Sequence, residues 1–249
     1  MTKGKLIILE GLDGSGKGTQ FENLKQYFSE QKIAFSTYDF PQYYDTFWGK
    51  MVGKYLNKEY GENVNPYLAS LLFFLDQSQA APRIRQDLKT GKIVLCNRYT
   101  TSNVYQAAKL NNLKERDDYW TWLEQAAYQE LQVVPPDLVI VLSISPKTAR
   151  SLIAKKNARE YVEVKEEDKK DDKTNQQFLP IANDFLPAKK DLHEDNLKLQ
   201  EDTYKELIRQ CKRNANWVTV NCLQNGKLRT IAEIFTELKQ VVANFLNKK

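Results

Sequence analysis

The run Gly11-Leu-Asp-Gly-Ser-Gly-Lys-Gly-Thr19 follows the apolar stretch Leu6-Ile-Ile-Leu9 and opens a helix-length segment. No other feature of the chain restricts its fold as strongly. Gly11, Gly14, Gly16 and Gly18 let the backbone curl until successive N–H groups face one point. The helix that follows adds the partial positive charge of its N-terminus. Such a cradle suits phosphate, with Asp13 and Ser15 inside it and Lys17 placed to reach β- and γ-phosphates, so ATP is the expected cofactor. The run satisfies the first seven positions of G-x-x-x-x-G-K-[ST] but carries Gly18 where Ser or Thr is usual, with Thr19 one step on. Gly18 therefore removes a hydroxyl that ordinarily ligates Mg²⁺. Mg²⁺ is still expected, held more through water and phosphate oxygens than by protein ligands, and the sequence names none of those ligands.

Further apolar runs recur at Ala34–Tyr38, Ile93–Cys96, Leu138–Leu142 and Trp217–Val220. Their continuous apolar character suits strands buried on both faces. Helix-length segments lie between and after them, at 17–31, 65–89, 117–132, 192–214 and 228–246. Alternating strands and helices predict an α/β fold of three layers, with a five-stranded parallel sheet flanked by helices. From Lys155 to Lys173 charges of both signs dominate, which reads as a solvated loop inside a lid spanning about residues 150–190. No repeat or linker divides the chain, so residues 1–249 are expected to form one domain.

The bulk properties exclude several function classes. A formal charge of +5 rests on 37 basic and 32 acidic residues without a long basic block, which argues against general nucleic-acid binding. Three unpaired cysteines, Cys96, Cys211 and Cys222, suit a reducing compartment, and a lone His193 speaks against a Cys/His zinc site. Only four apolar residues, Leu6–Leu9, follow Met1–Lys5 before Glu10, too short a run for a signal peptide, and no stretch approaches a membrane span. The expected location is cytoplasmic.

Several further segments resemble one family of P-loop kinases, the thymidylate kinases. Glu10-Gly-Leu-Asp-Gly14 is similar to the family's opening and Asp39-Phe-Pro41 to its turn after the second strand. Asn65-Pro-Tyr-Leu-Ala-Ser-Leu-Leu-Phe73 resembles the start of its substrate helix, and Asn97-Arg-Tyr-Thr-Thr-Ser102 its Asp-Arg-Tyr-x-x-Ser. Pro136–Leu142 and Lys189-Lys-Asp-Leu-His-Glu194 resemble the fourth strand and the segment after the lid. Each match is weak alone; six in the right order are strong.

The resemblance implies phosphorylation of dTMP by ATP, strand order 2-3-1-4-5 and a homodimer. It assigns the acceptor phosphate to Arg98, whose guanidinium offers bidentate bonds. Phe73 is expected to stack on the base, with Gln77 one helical turn on, where the family usually has an arginine. Asp13 falls to the sugar hydroxyl. Phe40, Pro41, Ser102, Tyr105 and Gln106 line the rest of the acceptor site. Lys17, Arg98 and a lid arginine, best matched by Arg159, would neutralise charge during transfer; Lys155, Lys156, Lys189 and Lys190 are weaker candidates. Four positions depart from the pattern: Asn97 replaces an aspartate, Gln42 and Gln77 replace arginines, and Gly14 stands where some members place a catalytic arginine. These departures keep two alternatives open: a kinase of another nucleoside or nucleotide, and a nucleotide-binding protein of reduced activity.

Overall fold

The computed structural model describes residues 3–154 and 196–247. Five strands form a parallel sheet: β1 (Lys5–Gly11), β2 (Phe35–Asp39), β3 (Ile93–Asn97), β4 (Leu138–Ser143) and β5 (Trp217–Asn221). Their order is β2-β3-β1-β4-β5, as the resemblance implied. β1 lies at the centre, pairing Leu9 with Asn97 on one side and with Ile140 on the other.

Alternate residues of each strand feed opposite cores. Leu6, Ile8, Val94, Cys96, Val139 and Val141 pack with Phe74, Ile84, Leu123 and Leu207. These partners come from α3 (Pro66–Lys89), α5 (Leu113–Leu123) and α7 (Leu197–Arg213). Ile7, Leu9, Leu95, Ile140 and Leu142 pack on the other face with Leu24, Phe28, Leu238 and Val242. Those belong to α1 (Lys17–Glu30) and α8 (Ile231–Leu246). Strands covered on both faces have no polar side, which is why they read as unbroken apolar runs.

Helix ends differ from the expected bounds for identifiable reasons. α5 starts at Leu113 rather than 117 because Asn112 caps it, accepting from the Glu115 N–H. The same segment ends in a wider π-type stretch, Glu124–Glu130. α8 starts at Ile231 rather than 228, where Thr230 and Glu233 form a reciprocal capping box. Leu228 belongs instead to a two-stranded hairpin, β6 (Leu223–Gln224) with β7 (Lys227–Leu228). Beyond this hairpin, the sequence shows no sign of α2 (Phe47–Leu56), the 3-10 turn Thr100–Asn103 or α4 (Val104–Ala107). A further helix, α6, begins at residue 146 and is described to residue 154.

α7 is locked to α5 by a buried ionic cluster. The Glu206 carboxylate is fully buried and accepts from Trp120 Nε1 at 2.8 Å, Gln210 Nε2 at 2.8 Å and the Arg209 guanidinium. Burial alone would raise its pKa, but the bonds from Arg209, Gln210 and Trp120 outweigh that and hold it below the usual range. Among the described residues no helix is long and apolar enough to cross a membrane.

Candidate active site

The carboxyl ends of β1, β2 and β3 converge on one cavity, as expected where parallel strands deliver their loops to the same edge. β1 runs into the glycine loop, and α1 starts at Lys17 with Gly16 before it in the left-handed region, φ 87°. Gly14 also has a positive φ of 79°, and a Cβ there would lie 2.4 Å from the Ala149 carbonyl oxygen on α6. No side chain fits at position 14 while α6 is packed there, so an arginine at that position is excluded on steric grounds.

Lys17 is folded back into its own loop. Its Nζ donates to the carbonyls of Gly11 at 2.8 Å and Leu12 at 2.9 Å, and lies 3.9 Å from the Asp13 carboxylate. Burial lowers its pKa to about 8, with Arg98 pushing the same way, while Asp13, Glu10 and Asp39 oppose them. The amine thus rests in a set of acceptors that a triphosphate would replace.

Arg98 leaves the end of β3 with a left-handed backbone, φ 60°. A non-glycine residue pays about 1 kcal/mol or more for that conformation. Its N–H is fixed by the Leu9 carbonyl at 3.0 Å, so the strain is held by the sheet itself. The guanidinium is paired with Asp13 and lies 3.8 Å from Glu10. Burial would lower its pKa, but Asp13, Tyr105 and Glu10 overcome this and keep it well above its usual value. Arg98 is therefore a permanent cation at the cavity floor. Tyr105 donates to the other Asp13 oxygen at 3.2 Å and lies beside the guanidinium, 6.0 Å from ring centre to Cζ.

Sequence reasoning passed over Glu10, although it lies next to the glycine loop. It is fully buried and accepts from the Gly11 N–H at 3.0 Å, the Thr101 hydroxyl at 2.9 Å and the Ser102 hydroxyl at 2.7 Å. One carboxylate thereby ties the glycine loop to the turn after Arg98. A charged residue inside an otherwise apolar strand was the signal that could have found it.

The cavity, of about 440 Å³, is lined by Phe40, Pro41, Phe73, Gln77, Arg98 and Ser102, and also by Asp13 and Tyr105. The Phe40–Pro41 peptide is cis. Phe73 is half-buried, its ring edge-on to Tyr55 with centroids 6.1 Å apart. Gln77 is 1% exposed, and its Oε1 meets no donor. Gln42 turns its backbone N–H to Asp76 at 3.0 Å, and Thr46, the cap of α2, donates to the same carboxylate at 2.6 Å. Gln106 is placed differently from Ser102 and Tyr105. It is buried behind the cavity wall, where its amide bonds the Tyr55 hydroxyl at 3.0 Å and its Oε1 accepts from Lys109 at 3.0 Å. Of the glycine-loop residues, Ser15 is buried with an unpartnered hydroxyl and Thr19 is exposed. Arg159, and with it Lys155, Lys156, Lys189 and Lys190, lies outside the described residues.

The arrangement joins a glycine-rich loop suited to phosphate to a pocket with an aromatic wall and a fixed arginine, the two meeting at Asp13. It suits two phosphorylated ligands placed end to end. Known proteins share the fold around it. The solved thymidylate kinase of Candida albicans matches with a TM-score of 0.65 at 20% identity, over 97% of this chain and 92% of that one, which establishes the fold. A probable thymidylate kinase of Methanocorpusculum labreanum is 29% identical over 160 residues, 64% of this chain and 75% of its own. The thymidylate kinase family model matches residues 9–189, through the glycine loop, the cavity and the arginine at the end of β3, and the chain belongs to the thymidylate kinase family.

Proposed function

We propose that the protein transfers the γ-phosphoryl group of ATP to dTMP, giving dTDP and ADP. One observation carries this reading beyond family membership: Lys17 and Arg98 both approach the single carboxylate of Asp13. The cation of the phosphate loop and the cation of the pocket therefore stand at a shared junction.

In this mechanism the triphosphate occupies the loop from Gly11 to Gly18, and Lys17 exchanges the Gly11 and Leu12 carbonyls for phosphate oxygens. Arg98 holds the acceptor phosphate with two parallel N–H bonds, releasing Asp13 toward the sugar hydroxyl. Phe73 stacks on the base and Tyr105 packs near the sugar. An acceptor phosphate oxygen attacks the γ-phosphorus in line, the bond from phosphorus to the β,γ-bridging oxygen breaks, and ADP leaves. Transfer of this kind needs positioning and positive charge rather than covalent help from the protein. Arg159 is assigned the remaining charge, on the resemblance alone.

The residues present fit Mg²⁺ bound mainly through phosphate. Among the described residues no group of three or more carboxylate, imidazole or thiolate side chains gathers. Asn97 Oδ1 is a buried oxygen without a donor, beside Asp39. Asp39 and Asn97 would hold the ion's water shell, and the ion would supply neutralising charge at the phosphates. The homodimer is inferred from the resemblance, and the cytoplasmic location from the three unpaired cysteines. Sedimentation of the purified protein reads the dimer directly.

The deciding experiment is a coupled ADP-release assay with ATP, Mg²⁺ and dTMP. Turnover that depends on dTMP, with dTDP recovered as product, supports the reading. Tight ATP binding without turnover would instead make the chain a nucleotide-binding protein, with Asn97 and Gly18 as the altered positions.

A further inference from the structure

Two groups lining the cavity combine near-complete burial with an unmet hydrogen-bonding atom, Tyr99 and Gln77, and of the two only Gln77 carries both a donor and an acceptor on a carboxamide. Gln77 is 1% exposed, and its Oε1 has no donor among the described residues. A buried acceptor without a partner is unfavourable, and no protein donor holds this oxygen in place, so the amide can turn it toward a ligand in the cavity. Its neighbour Asp76 does not compete for that role, because its carboxylate is occupied by the Gln42 N–H and the Thr46 hydroxyl. Phe73 stands one helical turn before Gln77 on the same face of α3 and lines the same cavity.

We infer that Gln77 reads the base of the monophosphate without distinguishing a 4-keto from a 4-amino pyrimidine, so that dCMP is accepted alongside dTMP. The inference rests on the cavity being the nucleoside monophosphate site. A uracil or thymine edge presents an O4 acceptor beside an N3–H donor. A cytosine edge presents a 4-amino donor beside an N3 acceptor. A carboxamide carries one acceptor and one donor in a plane, and it matches either edge after a half-turn about its last torsion. No protein donor meets Oε1, so no bond at that atom fixes the orientation against the ligand. A guanidinium, which only donates, would set N–H against the 4-amino group and reject it.

The test compares kcat/KM for dUMP and dCMP, both of which lack the 5-methyl group, so that only the 3,4-edge differs. A site committed to one hydrogen-bonding pattern rejects the mismatched ligand by roughly 10⁴-fold or more. The wild-type protein is expected to discriminate by less than about thirtyfold. Gln77→Arg, donor only, is expected to move the ratio at least about tenfold toward dUMP, and Gln77→Glu, acceptor only, at least about tenfold toward dCMP. A merely structural role for Gln77 gives no such opposed pair of shifts. Gln77→Glu is nearly isosteric and keeps the test alive if the larger arginine prevents folding.

Good turnover of dTMP with a kcat/KM for dCMP more than about thirtyfold below that for dUMP overturns this inference and leaves the kinase reading standing. So does a ratio that either folded variant leaves unmoved. If no monophosphate is turned over, dTMP included, the kinase reading falls instead. The ratio of calorimetric dissociation constants for dUMP and dCMP then decides the base readout by the same thresholds, and failure of both to bind overturns it.

Discussion

The Asn97 side-chain amide donates to the Asp39 carboxylate over 2.9 Å, across the paired ends of β3 and β2. Burial raises the Asp39 pKa, while the bond from Asn97 and the charges of Arg98 and Lys17 restrain the rise. Asn97→Asp would replace the donor with a second carboxylate facing the first. Like charges at that spacing are expected to cost about 1–2 kcal/mol in metal-free protein. Thermal unfolding should show a lowered Tm that Mg²⁺ with ATP largely restores, whereas the wild-type Tm responds less to the ion. An unchanged Tm in the absence of metal would refute the repulsion.

Lys17 couples ATP binding to protons. Its amine sits at about 8 in the free protein against an ordinary 10.5, chiefly through burial. Across that window the unfolded chain holds more protons than the folded one, so ligand-free stability rises with pH between the two values. Bound triphosphate adds negative charge and should draw the pKa back up. ATP binding near pH 8.5 is therefore expected to take up a fraction of a proton. Calorimetry in buffers of different ionisation enthalpy measures this, and Lys17→Met should abolish it.

Arg98→Lys keeps the charge and loses the fork. One of the two parallel bonds to the acceptor phosphate goes, and the pairing with Asp13 loosens. The expected loss is about 3 kcal/mol in kcat/KM for the monophosphate, roughly a hundredfold. ATP affinity should stay within about threefold of wild type, since Arg98 belongs to the acceptor pocket. A parallel loss of both would place Arg98 at the donor phosphates instead.

Glu10→Gln keeps the shape but swaps one acceptor oxygen for an NH₂ facing donors. The carboxylate serves Gly11, Thr101 and Ser102 and lies within 3.8 Å of Arg98. Breaking such a buried set is expected to destabilise the fold by about 2–4 kcal/mol in urea unfolding. The surviving folded protein should show a raised KM for the monophosphate, because Ser102 and Arg98 lose their common anchor. Full stability would show that the hydroxyls reorient at no cost.

The strands, their parallel arrangement and the phosphate loop were legible because each is a local pattern: an apolar run, or glycines and a lysine at fixed spacing. Arg98, Phe73 and Gln77 were legible through resemblance, and the cavity brings all three together. What the sequence hid was non-local. Glu10 gains its role from partners about ninety residues away, on Thr101 and Ser102. Gln106 looked like a pocket residue until α2 placed Tyr55 behind it, and α2 itself, with Trp48 and two glycines, gave no clear helical signal. The breadth of α5 was misjudged because its cap, Asn112, lies before the apolar residues that suggested a helix.

The Arg98 N–H bond to the Leu9 carbonyl has a consequence for how the molecule opens. Leu9 is in the innermost strand, and the turn that follows β2 is held in the same way, with the Phe40 N–H bonded to the Asn97 carbonyl. The two substrate pockets thus hang from one ladder of amides and cannot melt one at a time. In hydrogen exchange, the amides of Arg98 and Phe40 should be released only with the whole sheet. ATP alone should then slow exchange at Arg98, and dTMP alone should slow exchange at the amides of β1, each by the factor by which it stabilises the entire fold.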